Sequence, residues 1–392
     1  MGCFNALLAA AAGYNTVIYD VSDDALAKAP DTLMEMAPLL SEEGFFPGVV
    51  LQDLVSSIGF SNDLAVAIAN ADLISESVPE RLQLKRDIHQ RLDEISKPGA
   101  LLTTNTSSLP VSEIEDVVGR GDRFAALHSH LGAVVFDVVA GPRTAQATVD
   151  TLVNYVHSLG GWPLVLKKEN PGYVINAMLG ALLTVSQMLV IEGVATKEDI
   201  DRAWMRNQAA PIGPFGLMDM FGLNVIFDSW QHPKPKNAHL QEKILDFITP
   251  YIESGELGTK TGRGFYSYPE PGYAQPDFLA GDSDLSFIYR VMSNVLVANA
   301  IVIAANEVAE PLEIDRAWMI SFKLSRGPFG TLDKLGLDDF LGSYRELASL
   351  GIVPQDPLPA LEDYLGPLIN NNRLGTKTGN GIYCYPGPAY EA

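Results

Sequence analysis

Two short stretches carry residue types and spacings that could do chemistry. Gly2 precedes an Ala-rich apolar stretch, residues 4–12, that stops at Gly13, and Asp20 closes the run Thr16-Val17-Ile18-Tyr19. Glycine, helix, strand and acid in that order match the later part of a dinucleotide-binding unit. The helix start faces a pyrophosphate and the carboxylate takes ribose hydroxyls. A carboxylate there favours NAD over NADP, because it repels the extra phosphate. The unit's first strand and first two glycines are missing, so the sequence is read as lacking its beginning. Asp20 could equally be an ordinary strand-end cap for the next helix. The second stretch is Asn105-Thr106-Ser107-Ser108-Leu109, followed at a strand end by His128. An imidazole titrates near neutrality and can take or return a proton. A lone histidine in that place also reads as a satisfied core residue.

The elements that must position these groups alternate. Strand-like runs at 16–20, 71–78, 101–106, 124–128 and 164–167 have helical stretches between several of them, the first over 24–42. Alternation of this kind predicts a mostly parallel, doubly wound, Rossmann-like α/β domain over 1–168. From Pro171-Gly172 onward the pattern is all-α, and it repeats. Asp199-Ile200-Asp201-Arg202-Ala203-Trp204 returns as Glu313-Ile314-Asp315-Arg316-Ala317-Trp318. Gly213-Pro214-Phe215-Gly216 returns as Gly327-Pro328-Phe329-Gly330, and Leu257-Gly258-Thr259-Lys260-Thr261-Gly262 as Leu374-Gly375-Thr376-Lys377-Thr378-Gly379. Two helical domains, 169–270 and 283–392, are expected, separated by a Pro-, Gly- and Asp-rich linker.

Composition bounds the partners. A formal charge of −21 argues against nucleic acid, whose phosphates need a basic surface. It leaves room for an anionic cofactor held by a helix start and a few local donors. No uninterrupted apolar run is long enough to cross a bilayer, and residues 177–191 read as a buried helix. The two cysteines, Cys3 and Cys384, form no ligand or disulfide pattern, so no metal site is expected and a reducing, cytoplasmic location fits.

Taken together, several motifs resemble the 3-hydroxyacyl-CoA dehydrogenase family. They are the Asn105–Leu109 run with Asp122-Arg123-Phe124-Ala125-Ala126-Leu127-His128, Glu76-Ser77-Val78-Pro79-Glu80 with Lys85, and Pro171-Gly172-Tyr173-Val174-Ile175-Asn176. The repeated Gly-Pro-Phe and Gly-Thr-Lys-Thr-Gly segments match the family's C-terminal domain. The doubled helical region is similar to the longer members, such as 3-hydroxybutyryl-CoA dehydrogenases. The resemblance implies NAD-linked interconversion of a 3-hydroxyacyl-CoA and a 3-oxoacyl-CoA, with a short acyl chain. It makes His128 the general base and Asp137 its carboxylate partner. Ser107 and Asn176 become substrate contacts, and Gly2, Asp20, Glu80, Lys85 and Asn105 cofactor contacts. As bland alternatives, Ser107 could cap a turn and Asn176 could satisfy a helix carbonyl.

The chain also departs from the family. After the histidine, where members read Phe-Phe-Asn-Pro, it reads Ser129-His130-Leu131-Gly132, so Leu131 replaces the asparagine. The path to Asp137 is shorter, and aspartate stands for glutamate. His130 is either a substitute polar group or, as preferred from strand alternation, a solvent-facing residue. In the second helical copy Arg290 falls where Asn176 stands in the first, so that copy is expected to serve as scaffold. Short members dimerise through this domain. A duplicated one could pack within the chain, giving a monomer or at most a weak homodimer. Two other readings stay open: a catalytically impaired protein that binds acyl-CoA or a partner on this fold, and a dehydrogenase of small hydroxy acids.

Overall fold

The computed structural model describes residues 1–42, 50–130, 134–231, 238–281 and 283–391. They form two compact units, Met1–Val174 with Glu307–Ala309, and Ile175–Asn306 with Glu310–Ala392.

The first unit runs α1 (Gly2–Ala11), β1 (Val17–Tyr19), α2 (Asp23–Glu42), α3 (Leu51–Ser56), β2 (Gly59–Ser61), α4 (Leu64–Ile68), β3 (Leu73–Glu76), α5 (Leu82–Ile95), β4 (Leu101–Thr104), α6 (Val111–Glu115), β5 (Phe124–Ser129), β6 (Val135–Ala140), α7 (Gln146–Ser158) and β7 (Trp162–Leu166). β1 and β2 form one parallel pair, and a second sheet has the order β3-β4-β5-β6-β7. Every pairing is parallel except β5 with β6. Every residue of β5 is buried, and so are the first five of β6, which is why both read as near-continuous apolar runs. Phe4, Leu7 and Leu8 of α1 join Leu33, Leu127, Phe136, Val138, Leu152 and Val156 in the core. Because β3, β4 and β5 are parallel, their carboxyl ends, Glu76, Thr104 and Ser129, lie on one edge, and β6 starts there. Open α/β sheets present ligand sites at that edge.

The second unit runs α8 (Ile175–Ile191), α9 (Lys197–Gln208), α10 (Pro214–Phe221), α11 (Leu223–Gln231) and α12 (Ala238–Ser254), then α13 (Ser286–Ala305), α14 (Pro311–Phe322), α15 (Pro328–Leu335), α16 (Leu337–Ser349) and α17 (Leu358–Asn370). The repeated motifs prove structural. Asp201 is fully buried and accepts from the amides of Phe215 (2.8 Å) and Gly216 (3.0 Å) and from the Tyr266 hydroxyl (2.9 Å). Asp315 does the same with Phe329, Gly330 and Tyr383. Asp219 and Asp333 each take two more amides, from Phe265 and Tyr266 and from Ile382 and Tyr383. Gly213 must be glycine, since a Cβ there would stand 2.5 Å from Asp201 Cα. Gly258 has φ +100, and a Cβ on it would collide with the Asp219 carbonyl oxygen.

The first helices of the two copies, α8 and α13, pack on each other, with Ser186 Oγ 3.5 Å from Met292 Sδ. α13 is long and apolar enough by average composition to cross a membrane, although no uninterrupted apolar run in the sequence is. It has 20 residues and a mean hydropathy of 1.7 over its best window. Ser293, Asn294 and Asn299 interrupt the run in sequence, but a helix averages over them. Val291, Met292, Leu296, Val297, Ala300 and Ile301 are all buried in the unit, as in a core helix. Arg290, near its start, pairs with Glu346 at 2.9 Å.

Candidate active site

His128 and Asp137 are directly opposed in the antiparallel β5–β6 pair, so their side chains share one face of the sheet. His128 Nδ1 lies 2.8 Å from Asp137 Oδ2. Asp137 is wholly buried and His128 6% exposed. With Nδ1–H donating to the carboxylate, Nε2 keeps its lone pair, and no described residue bonds it. Burial lowers the His128 pKa, and the opposing pull of the Asp137 hydrogen bond does not restore it. Burial alone would raise Asp137, but the two neighbouring imidazoles hold it down at about 2. The pair is therefore a neutral imidazole backed by an ionised carboxylate. The ring of Tyr173 lies 5.4 Å from that of His128.

His130 corrects the expectation of a solvent-facing residue. Its Nε2 is also 2.8 Å from Asp137 Oδ2, and its ring is 4.5 Å from that of His128. Residues i and i+2 of an extended chain share a face, so strand alternation puts His130 beside His128 and not opposite it. Leu131 and Gly132 lie outside the described residues.

The Asn105–Leu109 run is held from beneath. Glu80 Oε1 accepts from Thr106 Oγ1 (2.5 Å), the Ser107 amide (2.9 Å) and the Ser108 amide and hydroxyl (both 3.0 Å). This fixes the turn and leaves the Ser107 hydroxyl unengaged by any described residue. Asn105 Oδ1 accepts from the Ser129 amide at 2.8 Å, tying the turn to the residue after His128. The Ser129 hydroxyl lies 2.6 Å from Asn5 Oδ1 on α1. Lys85 is 1% exposed and spends its ammonium inside the protein, on Glu76 Oε1 (2.8 Å), Glu80 Oε2 (3.3 Å) and the Val78 carbonyl (3.3 Å). Glu80 and Lys85 thus build the wall that carries Ser107.

Behind them lies a cluster that sequence reasoning missed. Lys85, His89 and Leu92 form the buried face of α5, at the spacing a helix requires. Glu76, 4% exposed, accepts from Lys85, from the Val78 amide (2.7 Å) and from Thr104 Oγ1 (2.7 Å), with His89 Nε2 at 3.2 Å. Burial would raise its carboxyl, but His89 and Lys85 hold it at about 2. The amphipathic period of α5, with Lys85 and His89 on its apolar stripe, was the available signal.

At the dinucleotide end, α1 starts at Gly2 with no acidic residue in its first turn and no side-chain cap, so its free amides suit an anion. The buried Ser77 hydroxyl nearby has no partner among the described residues. Asp20 follows β1, with Oδ1 on the Ser22 amide at 2.9 Å, and its charge reaches Cys3 in the first turn of α1. These residues fit NAD: the amides of α1 for the pyrophosphate, Asp20 for the ribose. Asn176 lies half-buried in the first turn of α8, in the second unit.

A family model described as 3-hydroxyacyl-CoA dehydrogenase, NAD binding domain, matches residues 1–169. The C-terminal domain model of the same family matches twice, over 172–268 and 287–385. A rat mitochondrial hydroxyacyl-coenzyme A dehydrogenase is 34% identical over 68% of this chain and 88% of its own. A Bacillus subtilis protein named as a probable 3-hydroxybutyryl-CoA dehydrogenase is 29% identical over 69% of this chain and 94% of its own. The solved structure of an Escherichia coli 3-hydroxybutyryl-CoA dehydrogenase shares the fold, with a TM-score of 0.74 over 94% of this chain and 97% of that one, at 22% identity.

Proposed function

The chain belongs to the 3-hydroxyacyl-CoA dehydrogenase family and interconverts 3-hydroxyacyl-CoA and 3-oxoacyl-CoA with NAD, and we propose that His128 is its general base. The observation that carries this is the 2.8 Å cross-strand pair with Asp137 at the carboxyl edge of the sheet, beside the Glu80-held turn. Bound NAD would supply the acceptor for the hydride that leaves the substrate's C3. His128 Nε2 takes the proton of the 3-hydroxyl, and Asp137 stabilises the imidazolium that forms. Run backward, the same ring returns the proton to the alkoxide. The Ser107 hydroxyl, which no described residue engages and whose backbone amide is fixed by Glu80, is the donor to the substrate oxygen. The role of Asn176 as a substrate contact rests on its motif alone. A short acyl chain is part of the proposal, supported by the Bacillus subtilis relative named as a probable 3-hydroxybutyryl-CoA dehydrogenase.

Oxidation of NADH with acetoacetyl-CoA tests it. His128→Ala should lower turnover by about two to four orders of magnitude and leave NAD affinity nearly unchanged. Asp137→Asn should act in the same direction but less, since the proton acceptor remains. An unaltered rate in His128→Ala refutes the assignment. A wild-type rate equal to background favours the acyl-CoA-binding reading.

A further inference from the structure

His128, His130 and Asp137 do more than form a base pair with a spectator. His128 Nδ1 and His130 Nε2 both point at Asp137 Oδ2, at 2.8 Å each, and the ligating atoms of the three residues lie within 4.8 Å of one another. Asp137 is wholly buried, and its other oxygen, Oδ1, has no hydrogen-bond partner among the described residues. Two imidazoles from one strand face and a carboxylate from the facing strand are a donor set for borderline divalent ions such as Zn2+, not for Mg2+ or Ca2+. Two ligands each about 2.0–2.1 Å from one zinc ion stand somewhat farther apart than a hydrogen bond, so spreading on the order of half an ångström admits the ion. Counting cysteines alone hid this set.

We propose that His128, His130 and Asp137 bind a divalent transition metal of the zinc class, and that the bound ion reversibly silences the general base. The second half rests on the reading of His128 given above. Its reason is the tautomer. Hydrogen-bonded to Asp137, the His128 ring carries its proton on Nδ1 and offers the Nε2 lone pair to substrate. A metal on Nδ1 needs the lone pair there, so the single ring proton moves to Nε2, where the substrate's proton would have to go. The ring cannot hold the ion and accept the hydroxyl proton at once. No electron transfer is involved, and a chelator restores the starting tautomer.

The test uses the whole chain. Calorimetric titration with Zn2+ and visible absorption with Co2+ read occupancy, and ring-nitrogen NMR of the histidines reads the tautomer without any variant. NADH oxidation with acetoacetyl-CoA, in the same ion series, reads the base. The expected result is one ion per chain, a Co2+ spectrum of low-coordinate nitrogen ligation, and two imidazoles whose protons move in opposite senses, that of His128 from Nδ1 to Nε2 and that of His130 from Nε2 to Nδ1. Turnover should fall with the same midpoint as binding and return with EDTA. His130→Gln should weaken the ion at least about tenfold and move the inhibition midpoint with it. Absence of binding to wild type overturns the proposal. So does equal binding in His130→Gln, which would place the ion on surface carboxylates. Turnover indifferent to a bound ion overturns the silencing and leaves the base assignment intact. An ion bound with the predicted NMR signature, in a chain that shows no turnover even with EDTA, supports the metal site and overturns the base assignment.

Discussion

One oxygen of Glu80 holds three successive residues, Thr106, Ser107 and Ser108. Glu80→Ala releases all three and frees Lys85 from one of its partners. Misplacing Ser107 on that scale should cost about one to two orders of magnitude in kcat/KM, with NAD affinity the less affected, and steady-state kinetics at varied acyl-CoA would show it. At this scale the sequence was informative about identity and weaker about role. The motifs picked out His128, Asp137, Ser107 and Asn105, and the structure brings these together with Glu80 and Lys85 on one sheet edge. What a motif cannot tell is which atoms a side chain spends internally. Lys85 looks like a cofactor ligand in sequence and is a buried strut in three dimensions. His130 was misread for a different reason, since period-2 alternation was applied with the wrong parity.

Among the elements, α5 and the ends of β3 and β4 enclose Glu76, and that carboxylate gives the first unit an acid limit. Its folded pKa of about 2 lies below the ordinary value of 4.5, so the stabilisation is present above about pH 4.5 and is lost as pH falls toward 2. The difference corresponds to about 3 kcal/mol. Urea unfolding of wild type across this range should show the loss. Glu76→Gln should be less stable at neutral pH and lose less over the same interval, the remaining fall coming from Asp137, which is also held at about 2. In the helical copies the sensitive points are the glycines beneath the buried aspartates. Gly213→Ala and Gly327→Ala each drive a Cβ to 2.5 Å from aspartate backbone, and each should cost about 2 kcal/mol or more by urea denaturation. Elements with strong periodicity or length, such as α1, α8 and β5, were legible in the sequence. β2, three residues of Gly59-Phe60-Ser61, is too short for a pattern, and the apolar run of β6 has no alternation, so β6 was reached only through the family resemblance.

For the whole molecule, the repeat was legible because its landmarks are backbone requirements: buried acids bonded to amides, and glycines that those acids crowd. α8 packs on α13 inside one unit. This supports a chain that needs no second copy to cover those helices. Light scattering at micromolar concentration should give the mass of one chain, 42.4 kDa, or a dimer that dissociates on dilution. A tight dimer with the copies exchanged between chains would contradict it.

Arg290 stands where the first copy has Asn176, and it holds an ion pair with Glu346. In a twofold assembly of identical chains every substitution is made twice, so a position cannot serve a ligand in one half and brace the scaffold in the other. Fusing the halves lifts that constraint. Each position in α13 can change once, without a mirrored change in α8, and the two halves become free to specialise. The second copy is then a reservoir of positions that, away from the contact of α13 with α8, can take new charge or binding chemistry of their own.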